Sequence, residues 1–233
     1  MSKSLKYKHG GPVPEGEDAA DGASDDDRGG ASGVVDRELA VPGLVAGFGA
    51  FVLTYVVTLA TTFSVRAGAA TGDEELPHVA VEAAWSVLLS FGAALEQGGE
   101  EINALDFTYA WTINVATNPV LLLLTFGLAV LAGYAAADYA GADSVPRTIA
   151  SALFVVPAYL LCAVLVSVTA TWTPEDPDGG GPQPAGEAPE AAESVSVALA
   201  DAALYAGLVW PAAFAVVGAL LVLGRRRWLA ARE

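Results

Sequence analysis

The sequence has a single cysteine, Cys162, two histidines, His9 and His78, and three lysines, Lys3, Lys6 and Lys8. One cysteine excludes an intrachain disulfide. Set in an apolar run, Cys162 reads as a small hydrophobe. A zinc site needs three or four nitrogen, sulfur or oxygen ligands in one constellation, and two distant histidines do not supply it. The acids beside His78 (Asp73, Glu74 and Glu75) read as solvated loop charge. Gly29-Gly30 and Gly179-Gly180-Gly181 are not followed by Lys-Ser/Thr, so they are linkers rather than phosphate loops. No catalytic motif is present, and neither a cofactor nor a metal is expected. The chain is read as not an enzyme.

Basic residues are scarce. There are 11 Lys and Arg against 27 Asp and Glu, for a net charge of −16. That balance disfavours nucleic-acid binding. The chain is nevertheless 54% hydrophobic. Both facts hold together if the apolar residues are gathered into spans and the charges lie outside them.

Charge is in fact missing from four long stretches, Leu39 to Val65, Phe107 to Ala137, Thr148 to Pro174 and Ala202 to Gly224. A helix needs about 20 residues to cross roughly 30 Å of hydrocarbon. All four stretches are long enough. Backbone groups in lipid must be satisfied internally, and without strand-type alternation this predicts helices rather than a barrel. The expected fold class is therefore all-α, a polytopic membrane protein with four transmembrane helices. The spans are placed at about residues 41–65, 117–137, 148–172 and 202–224, within a domain over 39–228. Pro42 is expected in the first turn of the first span, Pro157 is expected to kink the third, and Pro211 to interrupt the fourth. Asn118-Pro119 offers an N-cap and a first helical residue. The second helix thus either starts at Pro119, after an aromatic segment holding Tyr109 and Trp111, or starts earlier and kinks there.

Outside the spans, residues 1–38 are expected to form a disordered acidic tail, because apolar residues are too sparse for a core. The first apolar run is about twice the length of a signal-peptide core and follows that tail, so it is read as an uncleaved helix. Residues 66–106 and 173–201 form two acidic loops on one side of the membrane. The second is Pro/Gly-rich and is expected to be mostly disordered, although residues 191–201 could begin a helix that runs into the last span. Within the first, Ala83–Leu95 is too short to span comfortably. Trp85, Leu88, Leu89, Gly92 and Leu95 fall on one helical face, with Glu82, Ser86, Ser90 and Gln97 on another. This predicts a short amphipathic outer-side helix, which either lies in the interface with Trp85 near the headgroups, re-enters the membrane, or packs on the bundle.

Ten of the 11 bases belong to the side that holds the N-tail, the 138–147 turn and the C-terminal residues 229–233. Arg66 is the exception. By the positive-inside rule both termini are cytoplasmic, with Arg225, Arg226, Arg227 and Trp228 as topology anchors in a multi-pass cell-membrane protein. Small residues recur at helix-contact spacing at Gly43 and Gly47 and at Ala129, Gly133 and Ala137. They suit contacts within the bundle, in a homo-oligomer or with other membrane subunits, and membrane lipids are the remaining expected partners. No ionisable residue lies well inside a span, which weighs against ion-coupled mechanisms. Thr54, Thr58, Thr61, Thr62, Asn114, Asn118, Thr125, Tyr134 and Tyr159 remain as polar groups that either line a path or bond their own helices.

The acidic tail, the span ending Thr61-Thr62, the Trp85 segment, the Pro/Gly-rich loop and the Arg-rich end together resemble a group of uncharacterised haloarchaeal four-helix membrane proteins. Members are sometimes labelled transporters, without a known substrate. The resemblance is architectural and assigns no functional residue. A high-salt origin also suits the charge balance, since at 1 M salt carboxylate repulsion is screened over about 3 Å. The expected role is an accessory or structural membrane component, with a permease-like subunit for a small, weakly polar solute as the alternative.

Overall fold

The computed structural model describes residues 37–68, 77–102, 117–141, 144–173 and 193–232. The expectations for the acidic tail, for Asp73–Glu75, for the segment holding Tyr109, Trp111 and Asn114, and for most of the Pro/Gly loop lie outside the described residues.

Four helices are long and apolar enough to cross a membrane: Leu39–Gly68, Pro119–Tyr139, Val145–Thr169 and Leu199–Ala230. The first lies within α1 (Arg37–Gly68). It starts earlier than expected, so Pro42 lies inside the helix rather than in its first turn. The proline removes one N–H but does not end the helix. The next long helix, α3 (Pro119–Tyr139), begins at its proline. Asn118 caps it, its side chain accepting from the Val120 N–H at 2.9 Å. Of the two starts open from the sequence, the Asn-Pro start is the one found.

The third span is broken at Phe154 into α4 (Val145–Leu153) and α5 (Val155–Thr169). Pro157 explains the place of the break. It has no N–H for the Leu153 carbonyl, and its ring presses on that group. The fourth span opens with one turn, α6 (Leu199–Asp201), passes through a π-helical segment (Ala202–Val209), and continues as α7 (Trp210–Ala230). Pro211 follows the wide π turn, in which the Trp210 N–H reaches back to the Tyr205 carbonyl. The span therefore changes register at Pro211 and runs on.

These helices are inverted relative to a water-soluble bundle. Large residues face outward, with Leu123 74% exposed, Val120 71% and Phe63 63%. Small residues face inward: Ala129, Ala136, Ala137, Ala215 and Ala219 are completely buried. In water such an apolar exterior would be an aggregation hazard. In hydrocarbon it is the matching surface, and the interior then depends on close approach of backbones.

α1 packs on α3 and α5, and α7 packs on α3 and α4. A methyl group at Gly133 would lie 2.5 Å from Cα of Ala215, and one at Gly218 would strike the backbone of Val130 and Tyr134. Gly133→Ala is accordingly expected to cost about 1–3 kcal/mol through forced backbone separation. Gly127 has open space around it. Gly127→Ala is expected to be neutral or to stabilise by about 0.5–1 kcal/mol. Denaturant unfolding of the two variants in detergent measures the contrast.

Between the first two spans lies α2 (Val79–Ser90), followed by the strands β1 (Leu95–Gln97) and β2 (Glu100–Glu101). A third strand, β3 (Val195–Val197), precedes the last span. Together they form a small antiparallel sheet in the order β2-β1-β3. The helix expected over 191–201 is corrected here: Val195-Ser196-Val197 is a strand, and the helix begins at Leu199. Alternating β-branched residues suit a half-buried strand, and Val195 and Val197 are indeed buried with Ser196 between them less so. β1 and β2 join through Gly98 and Gly99, both at positive φ. This is the backbone that a two-residue hairpin needs and that glycine adopts without strain.

Candidate functional site

α2 concentrates most of the chemistry that the sequence distributes along the chain. Its N-terminus is capped by His78, whose Nδ1 accepts from the Ala80 N–H at 3.2 Å. From Glu82 to Leu88 every residue is buried, so both of the faces expected from the sequence are covered. Trp85 is fully buried, and its indole N–H donates to the Ala170 carbonyl at 2.7 Å. The Ala170 carbonyl lies just past α5, where helix geometry leaves acceptors unpaired. Of the placements open for this segment, the structure shows packing on the bundle, with Trp85 buried rather than at a surface.

Glu82 is 3% exposed, and Arg66 Nε, at the end of α1, lies 3.2 Å from its Oε2. Burial pushes the Glu82 carboxyl above the ordinary carboxylate range, while the Arg66 charge pulls it back. Nearby, the Tyr55 hydroxyl donates to the Ala80 carbonyl at 3.2 Å. The Ser167 hydroxyl donates to the Val197 carbonyl at 2.9 Å, joining α5 to the sheet. Sequence reasoning placed Glu82 on a polar loop face and left Arg66 as an isolated outer base. Opposite charge at the two ends of one loop was the available signal.

α2 ends in a Schellman turn: the Gly92 N–H reaches the Leu89 carbonyl, the Ala93 N–H reaches the Leu88 carbonyl, and Gly92 has φ +91°. Phe91, just before it, reaches the middle of the bundle. Its ring centre lies 6.0 Å from Phe126 and 6.2 Å from Tyr159, and Tyr159 meets Phe51 edge-on at 5.5 Å. Phe51 and Tyr159 occupy central positions of their spans. The chain thus descends through α2 to Phe91, turns at Gly92 and returns as β1, in the manner of a re-entrant segment. The Tyr159 hydroxyl is buried with no hydrogen-bond partner among the described residues. Beside Phe91 opens a groove of about 430 Å³, lined by Leu89, Phe91, Leu122, Phe126, Tyr205 and Trp210. Its walls are mostly apolar, with Ser90 and Thr117 as polar members. Among the described residues there is no group of three or more metal-ligating side chains.

The small residues singled out in the sequence fall on two separate seams. A methyl at Gly43 would meet Phe154 and Ser151, and one at Gly47 would meet Val155 and Ala158. Gly133 meets Ala215 of α7, while Ala129 and Ala137 lie on the same helix, fully buried. Gly207, against Leu160, and Gly218 make equally close approaches that the sequence reading did not mark. At the opposite end from α2, Arg225 donates to the Tyr134 hydroxyl at 2.6 Å and lies 3.8 Å from Asp138. Arg226 and Arg227 follow on the same helix, and the Arg232 guanidinium lies 3.4 Å over the Trp228 ring.

Residues 23–226 match a family of unknown function, DUF7978. The chain belongs to that family. Comparison with curated proteins and with solved structures gives no match. For this DUF7978 protein the polar groups along the spans are therefore read from their own geometry. Thr54, Thr61 and Thr62 donate to the carbonyls of Ala50, Val57 and Thr58, four residues back in their own helix. Asn118 is a cap, and Tyr134 is held by Arg225. Cys162 is buried within α5.

Proposed function

We propose that this DUF7978 protein is an accessory or structural component of the cell membrane. One observation carries the reading. Among the described residues, Thr54, Thr61 and Thr62 donate back to their own helix and Asn118 serves as a cap, so four of the polar groups that would line a solute path are engaged locally. Such bonds commit the hydroxyl protons locally, so these threonines have no donor left for a passing solute. Flux of small polar solutes into vesicles carrying the purified protein tests it. Rates equal to protein-free vesicles are expected, and protein-dependent uptake overturns the reading. The same uptake would support the second reading, a permease-like subunit, which draws on the re-entrant α2 and the adjoining groove.

The proposed orientation places both termini in the cytoplasm. Arg147 and Arg225 to Arg227 lie at one end of the bundle, whereas the loop end carries Glu96, Glu100 and Glu101. Single cysteines at Glu100 and Ala230, introduced after Cys162 is replaced, are expected to label from outside at position 100 alone. Outside labelling at position 230 reverses the orientation.

A high-salt membrane is the proposed setting, supported by the acidic excess. Glu96 and Glu101 sit directly opposite each other across β1 and β2, and like charges so placed destabilise a sheet by about 0.2–1 kcal/mol. Glu96→Gln is expected to raise the melting temperature at low salt and to lose that advantage at high salt. A constant advantage across salt concentrations refutes the screening argument.

A further inference from the structure

The arginine end of the bundle has a chemical character that the fold itself does not need. α7 continues beyond Gly224 to Ala230, carrying Arg225, Arg226 and Arg227. Arg37 at the start of α1 and Arg147 in the first turn of α4 lie at the same end, both exposed. Asp138 lies beside Arg225, and in the sequence Asp36, Glu38, Asp143 and Glu233 neighbour these arginines. Exposed apolar and aromatic groups are interleaved with the arginines: Tyr139 is 84% exposed, Trp228 54% and Leu229 46%. Arg232 lies flat over Trp228. That stacking orients the guanidinium while leaving its edge donors available, because the cation–π contact uses the face of the ion.

This combination matches the layer where a bilayer meets water. Trp and Tyr settle at headgroup level, and planar guanidinium groups bind phosphate oxygens in pairs. The charge of the chain selects among headgroups. With a net charge of −16, the protein as a whole is repelled by an anionic membrane surface. Among the described residues, the arginine end is where the sign is reversed, with Arg37, Arg147, Arg225, Arg226, Arg227 and Arg232 against Glu38 and Asp138. At the other end Arg66 is taken up by Glu82, and Glu96, Glu100, Glu101, Glu193 and Asp201 are left facing outward or partly so. An anionic lipid is therefore attracted at one end and repelled at the other, whereas a zwitterionic lipid distinguishes them weakly.

We propose that the arginine end of α7 is a binding site for the headgroups of anionic phospholipids. Arg227 and Arg232 engage the phosphate, Trp228 sets the depth, and Arg225 is held in place by Tyr134 and Asp138. The site is independent of whether the protein is accessory or a permease.

The test uses the full chain purified in neutral detergent. Native mass spectrometry reads its relative affinity for phosphatidylglycerol and phosphatidylcholine of identical chains. The wild type is expected to prefer phosphatidylglycerol. Arg227→Gln/Arg232→Gln is expected to reduce that preference roughly thirty-fold, which is about 1 kcal/mol for each surface arginine at tenfold per 1.4 kcal/mol. An unchanged preference in the variant overturns the proposal. So does displacement of phosphatidylglycerol by inorganic phosphate at matched concentration, which would mark a free-anion site. If the double variant does not fold, the wild-type preference measured against salt decides. Screening must weaken it steadily, and a salt-independent preference also overturns the proposal.

Discussion

Replacing Arg66 with alanine is expected to destabilise the protein by about 3 kcal/mol or more, because it leaves the Glu82 carboxylate buried without its partner. The Glu82 side chain is 4% exposed and that of Arg66 is 23% exposed. The penalty is therefore borne mainly by the acid, while the guanidinium keeps part of its hydration. The double variant Arg66→Ala/Glu82→Gln removes both charges and is expected to recover most of the loss. Glu82→Gln alone leaves Arg66 able to turn to water and is expected to be mild. Unfolding of the three variants in detergent distinguishes a buried pair from a surface one. Were Glu82 solvated, Arg66→Ala would cost less than about 1 kcal/mol.

The same pair sets a pH dependence of unusual sign. Burial raises the Glu82 carboxyl above its ordinary value, with Arg66 opposing the shift. The folded protein therefore holds this proton more tightly than the unfolded chain. Its contribution to stability is complete below the ordinary carboxylate pKa and is lost as pH rises through the raised folded value. Lowering the pH from neutrality through that window should thus increase stability at this site, opposite to ordinary acid denaturation. Glu82→Gln should flatten the effect. Arg66→Ala removes the opposing influence and should move the window to higher pH. A flat profile common to wild type and Glu82→Gln would show that Glu82 does not titrate differently on folding.

The parts of the fold that could be read in the sequence are those whose signal is local. Charge-free length marks the four spans, since hydrocarbon rejects ions regardless of what the helices pack against. The Asn118-Pro119 start is legible because a cap and a missing donor act within one turn. The small sheet is less so. Gly98-Gly99 is a hairpin signal, but Glu96, Gln97, Glu100 and Glu101 beside it lack the apolar alternation that would confirm strands. β3 is stabilised by Trp172 and by β1, one of them distant in sequence. The ion pair and the depth of Phe91 depend on how α2 docks, which is a property of tertiary packing. Even Gly207 and Gly218 differ from Gly49 and Gly127 only in their neighbours: the first two touch other helices, the second two face open space.

Trp85 gives the clearest test of that docking. Its ring is completely buried, and its N–H serves the Ala170 carbonyl at 2.7 Å. Trp85→Ala removes the ring and leaves a cavity between α2 and α5, for an expected loss of about 3–5 kcal/mol. In a chain of this size that corresponds to roughly 10 °C in melting temperature. Trp85→Phe keeps most of the apolar volume but strands the carbonyl, for an expected loss of about 1–3 kcal/mol. The ordering, with alanine well below phenylalanine and phenylalanine below wild type, reports volume and hydrogen bond separately. A tryptophan resting at the membrane surface would behave otherwise. Its ring would face headgroups in both folded and locally detached states, and neither substitution would move the transition by more than about 1 kcal/mol, the usual range for surface changes. Such a result would remove α2 from the bundle, and with it the buried pair and the descent of Phe91 to the level of Phe51 and Tyr159.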